Sequence, residues 1–255
     1  MNGKGGAQVN TGAITHATDT LGLPPRPEHR PADVHSVVET VDRYNPENIP
    51  KLEEYVRQQL EKSFYDRDAN LSMLKLYQFN PNHSIHQLDT TINILIKALT
   101  ALPDPDFNLY LALLTEEVMT EETIERLIAL QQLLESCRFE EFWKLVESTE
   151  KLPTLRDVLE PCRDFDVDVR DFVALTLSIA YQAVQMDSLV KYLGLEEGED
   201  VRDFIKEKGW STEKSGNTLL VKMVSSVSVT KPLIVEQHVK FGDLKKIIQH
   251  GRILA

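Results

Sequence analysis

Few places in this chain carry residue types that could do chemistry. Asp164, Asp166 and Asp168 alternate as at the start of a calcium loop, whose carboxylates converge on the ion from every second position. Such a loop needs glycine at its sixth position and a bidentate glutamate at its twelfth, and these are Val169 and Leu175. The aspartates read instead as a turn and N-cap ahead of a helix over Val169–Gln185. His83 and His86, three apart with Asp89 on the same face, resemble part of a helical metal site. A further ligand at convincing spacing is missing, and Ser84-x-x-Gln87 reads as a capping box that leaves His83 outside the helix.

Cys137 and Cys162 are the only cysteines, and neither has a second within metal-ligand spacing. They read as reduced, mostly buried thiols in a reducing compartment. The Gly3–Gly6 stretch GKGG lacks the Gly-Lys-Ser/Thr ending and the preceding strand of a phosphate loop. Gly-x-Ser-x-Gly, His-Glu-x-x-His and Cys-x-x-Cys do not occur. No catalytic residue, metal ligand or cofactor site is expected, so the chain does not read as an enzyme.

The elements that would position such residues are helices. From about Asp33 to Gln185 apolar residues recur at i, i+3 and i+4: Leu52, Tyr55, Val56 and Leu60, then Ile92, Leu95, Ile96, Leu99 and Leu102, then Ile124, Leu127, Ile128 and Leu134. Leu71, Leu74 and Tyr77 mark another face, closed by Asn80-Pro81 because the residue before proline is pushed out of the α region. Asn45-Pro46 should end a helix in the same way. Thr120 reads as the cap of a helix over Glu121–Cys137, with Glu121 and Glu122 at its positive end. Trp143 follows Phe139 and Phe142 on one apolar helix face. Short connections between helices of about 12–16 residues predict stacked antiparallel pairs, a degenerate solenoid without strict repeat.

After Gln185 the pattern changes. A short helix from Asp187 to Leu193 ends at Gly194, and a second from about Gly198 to Lys208 ends at Gly209. Thr218–Val224 is apolar and β-branched and predicts a strand. Ser225–Lys231 reads as a hairpin tip and Leu233–Val235 as the returning strand. The fold expected is mostly α: a HEAT- or TPR-like helical array at 33–185, then a winged helix with a small β-hairpin at 186–240. A C-terminal helix at 241–255 follows. Residues 1–32, rich in Gly and Pro with few large apolar side chains, are expected to be a disordered tail.

Composition narrows the function. The chain has 255 residues, 42% hydrophobic and 27% charged, with a net charge of −12. That charge repels phosphates and suits a basic protein partner. The helix over Gly198–Gly209, which would read DNA in a winged helix, is slightly acidic: Glu199, Asp200, Asp203 and Glu207 face Arg202, Lys206 and Lys208. The N-terminus lacks the apolar core of a signal peptide, and no apolar run approaches the ~20 residues of a membrane span. Cytoplasmic residence is expected, and the sequons at Asn70–Ser72 and Asn82–Ser84 read as accidental.

The wording of several segments says more. RYNPEN at Arg43–Asn48, LKLYQFNP at Leu74–Pro81, ILIKALTALPDPDF at Ile94–Phe107 and LLESCRFEEFW at Leu133–Trp143 occur in order, followed by VRDFIKEKGWS at Val201–Ser211 and IVEQHVKFGDL at Ile234–Leu244. From roughly Val38 to Gln249 the chain resembles the subunit K family of eukaryotic translation initiation factor 3. That family belongs to the PCI group, which also builds the proteasome lid and the signalosome. The resemblance implies a helical array with a winged helix, and a non-catalytic scaffold without cofactor. The implied partners are other initiation factor 3 subunits, subunit L above all, and the small ribosomal subunit through the complex. A lid or signalosome subunit is the alternative, and a nucleic-acid-binding regulator a more distant one.

In the group, winged helices line up with sheet edges in contact. Carried over, the interface positions are Leu219, Leu220 and Val221 on the first strand and Leu233, Ile234 and Val235 on the second. Phe241, Leu244, Ile247 and Ile248 share one face of the last segment. That face either returns to its own domain or joins helices of partner subunits, and it is counted among the interface positions.

Overall fold

The computed structural model describes residues 26–223, except 82, 83, 150–152, 197, 216 and 217. The expectations for residues 1–25, for a hairpin tip at 225–231, for Leu233–Val235 and for the C-terminal helix lie outside the described residues. Within them the chain is mostly helical with one small antiparallel sheet, as expected.

Helices α1 (Ala32–Glu39), α2 (Ile49–Glu61), α3 (Arg67–Phe79), α4 (Gln87–Thr100), α5 (Asp106–Leu111), α6 (Glu116–Met119), α7 (Glu122–Glu135), α8 (Phe139–Val146) and α9 (Leu155–Leu159) lead into a longer α10 (Phe165–Ala180). Strand β1 (Ala183–Gln185), helices α11 (Met186–Leu193) and α12 (Glu199–Glu207) and strands β2 (Ser211–Ser215) and β3 (Thr218–Lys222) follow. No helix among the described residues is long and apolar enough to cross a membrane.

The predicted stripes form the core. Leu52, Tyr55, Val56 and Leu60 of α2 and Ile124, Leu127 and Leu134 of α7 are buried. On α4 the run Ile94–Leu99 is buried on every side, which happens only where neighbours surround a helix. Those neighbours are α2, α3, α5, α7 and α10.

Several boundaries differ from the expectation. Ser84 does not cap α4. Its hydroxyl accepts from the His86 amide at 3.1 Å, a local turn that delays the helix to Gln87. Thr120 does not cap α7, because its hydroxyl donates back to the Glu117 carbonyl at 2.8 Å and closes α6. RYNPEN ends no helix and forms two 3-10 turns, Val41–Tyr44 and Pro46–Asn48, between which the Asn45 side chain accepts from the Glu47 amide at 3.1 Å. α10 begins at Phe165, not Val169, and stops at Ala180. Ala183–Gln185 is pulled into the sheet instead, by pairing with β3. The sheet thus takes residues from the helical side of the expected boundary at 185.

Arg30 corrects the view of the tail. It was expected in a disordered segment, yet it is only 3% exposed. Its Nε and Nη2 each donate to one Asp66 carboxylate oxygen at 2.6 Å, and Nη1 donates to Glu39 at 2.9 Å. Asp66 is also the N-cap of α3, accepting from the Ala69 amide at 3.1 Å and from the Tyr55 hydroxyl at 2.9 Å. One planar guanidinium therefore fastens the residues ahead of α1 to α3. Apolar counting misses it because the anchor is a charge. Burial alone would raise the Asp66 carboxyl, but Arg30, the Ala69 amide and Tyr55 reverse this and hold it below its ordinary value.

Trp143 of α8 joins the array to the rest of the chain. Its indole N–H donates to the Tyr192 carbonyl at 2.9 Å, and the Arg170 guanidinium stands 5.1 Å from its ring centre. Arg170 Nε donates to the Leu193 carbonyl at 3.0 Å, so α10 and α8 hold the same end of α11. That end turns through Gly194, in the left-handed region at φ 58°, and a Cβ there would meet the indole at 2.5 Å.

Two outcomes are expected. Arg30→Ala strands a buried carboxylate and should cost about 3 kcal/mol in denaturant unfolding at neutral pH. Because the folded Asp66 pKa is depressed, this contribution is complete above the ordinary carboxylate value. It fades as pH falls through the lower folded one, so the gap between the two proteins should narrow below about pH 4. Gly194→Ala combines left-handed strain with overlap on Trp143 and should cost roughly 2–4 kcal/mol. In a Trp143→Ala background only the strain, about 1 kcal/mol, should remain, which a double-mutant cycle measures.

Candidate functional site

The segment after α10 is built around a small apolar nucleus. Leu189 and Leu193 of α11 and Val201 and Ile205 of α12 point inward. Gly209, at φ 68°, turns the chain after α12, and Trp210 packs edge-on against Phe204 at 6.0 Å. Strands pair in the order β1-β3-β2, all antiparallel, with Val184 and Thr212 opposite Val221 on either side. Strand, helix, helix, strand, strand in this order is a winged helix.

Its hairpin differs from the one expected. β3 pairs with β2, which precedes it, and the turn falls at 216–217 rather than 225–231. β2 reads STEKS and carries no apolar alternation, so nothing in its pattern announces a strand. It lies at the sheet edge, where its polar side chains meet water on both faces, and Lys222 forms an ion pair with Glu213 across the hairpin.

The expected interface positions separate by depth. Leu219 is 40% exposed and Leu220 half-buried, whereas Val221 is wholly buried. The expectation for Val221 is corrected: its side chain belongs to the nucleus, and only its backbone takes part in the sheet. A cleft of about 250 Å³ opens beside Leu219, lined by Met186, Val190, Val201 and Arg202. Neither outer edge, β1 nor β2, has a strand partner among the described residues.

The face that would read nucleic acid is not basic. Lys206 pairs with Asp203 at 2.9 Å on the surface of α12. Lys208 pairs with Asp171 of α10 at 2.7 Å and with Glu207 at 3.2 Å. These cations are engaged within the protein, which leaves little for phosphates.

The residues weighed for metal chemistry are placed elsewhere. Asp166 lies inside the first turn of α10 and pairs with Arg156 at 2.8 Å, while Asp164 accepts from the Ser63 hydroxyl. No group of three or more His, Cys, Asp and Glu side chains among the described residues is arranged to hold a metal. His83 lies outside the described residues, and His86 is exposed at the N-cap of α4. Cys162 is buried, which pushes its thiol pKa up. Cys137 corrects the expectation of two buried thiols: it is exposed, in a left-handed turn after α7.

Tyr65, Asp106 and Tyr110 form a buried polar cluster that residue spacing did not suggest. The Tyr65 hydroxyl lies 2.7 Å from Asp106 and 2.6 Å from the Tyr110 hydroxyl. Burial and these neighbours push the Tyr65 pKa far up, so it is a donor that ties the start of α3 to α5. A second unforeseen feature joins the two most distinctive segments. Tyr44 of RYNPEN and Phe79 of LKLYQFNP meet edge-on at 6.1 Å, 54% and 65% exposed. Phe79 falls off the buried face of α3, and that offset was the available signal.

Comparison with known proteins agrees with this architecture. The model of the CSN8/PSMD8/EIF3K family matches residues 85–229. Eukaryotic translation initiation factor 3 subunit K of Mus musculus is 34% identical over 221 residues, covering 87% of this chain and 96% of that protein. The Homo sapiens protein of the same name gives the same values. That of Botryotinia fuckeliana is 33% identical over 245 residues, covering 89% of this chain and 95% of its own length. With its helical array, its winged helix and relatives aligned over nearly their whole length, the chain belongs to the CSN8/PSMD8/EIF3K family, and within it to the subunit K group of eukaryotic translation initiation factor 3.

Proposed function

We propose that the chain is a non-catalytic scaffold subunit of initiation factor 3 in the cytoplasm. It holds sister subunits, subunit L in particular, and reaches the small ribosomal subunit through the complex. The observation that carries this reading is the 34% identity over 96% of a subunit K relative, which leaves little room for a different client. The open sheet edge and the exposed Leu219 beside a shallow cleft support docking of protein at the winged helix. Leu220 and the sequence stretch Leu233–Val235 extend the proposed contact. The engaged cations of α12 favour protein over nucleic acid as the partner.

Pulldown of the tagged chain with quantitative mass spectrometry tests the reading. Initiation factor 3 subunits should dominate, and proteasome-lid or signalosome subunits in their place would reject it. Burial of one leucine contributes about 1.5–3 kcal/mol, so Leu219→Asp should weaken subunit L recovery roughly ten- to a hundredfold. Because Leu219 is partly exposed, the melting temperature of the free protein should change little. Lys206→Ala, on the face not assigned to protein, should leave recovery unchanged.

A further inference from the structure

α10 carries a line of apolar side chains that the described residues leave uncovered. Val167, Leu175 and Ile179 are spaced by multiples of four and so share one stripe, with Tyr181 just past its end. Ile179 is 63% and Tyr181 53% exposed. Asp171, on the same line, is engaged by Lys208 at 2.7 Å, which leaves Leu175, Ile179 and Tyr181 as a continuous apolar end.

The chain leaves the sheet beside this end. β3 runs antiparallel to β1, with Lys222 opposite Ala183, and the Met223 amide donates to the Gln182 carbonyl at 3.0 Å. β1 in turn comes directly out of α10. A chain continuing past Met223 therefore heads back toward Tyr181 and Ile179. Residues 224–255 follow, and among them Phe241, Leu244, Ile247 and Ile248 repeat at helical spacing. The intervening residues 224–240 reach up to about 55 Å when extended, whereas α10 is only about 24 Å long. The cleft beside Leu219 is a poorer match, since it lies at the opposite end of β3, about 13 Å from the exit.

We propose that the apolar face of Phe241, Leu244, Ile247 and Ile248 packs in cis on the Leu175–Ile179–Tyr181 end of α10. This assigns to the chain itself a face that its sequence suggested for partner subunits, and it stands or falls separately from the winged-helix edge.

Hydrogen exchange on the purified full-length chain tests it, together with a mutant cycle of Ile179→Asp and Leu244→Asp. Amides at 241–248 should exchange slowly. Each single change should release that protection and lower the melting temperature by several degrees, and the double change should add little, because both break one contact. Should Ile179→Asp prevent folding, Ile179→Ser in the same cycle gives the same readout. Exchange at 241–248 at the rate of unfolded peptide would overturn the proposal, as would additive temperature shifts. Protection that disappears on dilution would place the segment on a second copy and overturn it as well. So would Leu244→Asp that abolishes recovery of sister subunits while the melting temperature of the free chain stays unchanged.

Discussion

The fold is organised by the complete burial of α4. A helix with six consecutive buried positions has no face left for water, so helices must cover it from every direction. α2, α3, α5, α7 and α10 do so, which obliges the chain to return to one axis from both sides in sequence. Lys97 sits within that buried run. Its charge opposes the upward pull that burial exerts on Cys162 and Asp168 across the α4–α10 contact, so the axis is also the electrostatic centre of the array. Because α10 is both a wall of this core and the root of β1, the winged helix inherits its position from α4.

The Trp143 contact completes that inheritance. An indole seated where a glycine lacks its Cβ fixes both distance and rotation, and the Arg170 hydrogen bond to Leu193 adds a second, directional constraint. For a protein whose work is to hold others, such geometry is the functional property. A scaffold contributes by presenting surfaces at constant separation, and close packing deforms little. The same reasoning explains why the buried Tyr65–Asp106 and Arg30–Asp66 clusters need no catalytic interpretation. Each satisfies buried polar groups while tying an irregular segment to a helix.

Much of this was legible in the sequence, for identifiable reasons. Helical stripes were visible because burial repeats with the period of the helix, and Gly194 because only glycine tolerates the turn and the indole together. Helix starts at Ser84 and Thr120 were misread because a hydroxyl can serve the neighbouring turn as readily as the next helix. β2 was invisible because an edge strand wet on both faces has no apolar alternation, and β1 because its pairing is decided by β3. Arg30 escaped because a single buried charge resembles a solvated one until its carboxylate partner is known. At the candidate site, alternation placed Leu219 and Val221 on one face but could not tell which lay at the rim and which at the centre.

The passage from α10 to β1 leaves only Tyr181 and Gln182 between a helix locked in one core and a strand locked in another. One residue inserted there would advance the strand by about 3.3 Å and turn its side chains over, sending Val184 to solvent. The connection therefore behaves as a toothed coupling, able to engage only at whole steps of the strand period. Over evolutionary time, length variation should collect in the surface turns and be purged at this point. The two halves of the subunit can then diverge in sequence only while their spacing stays locked.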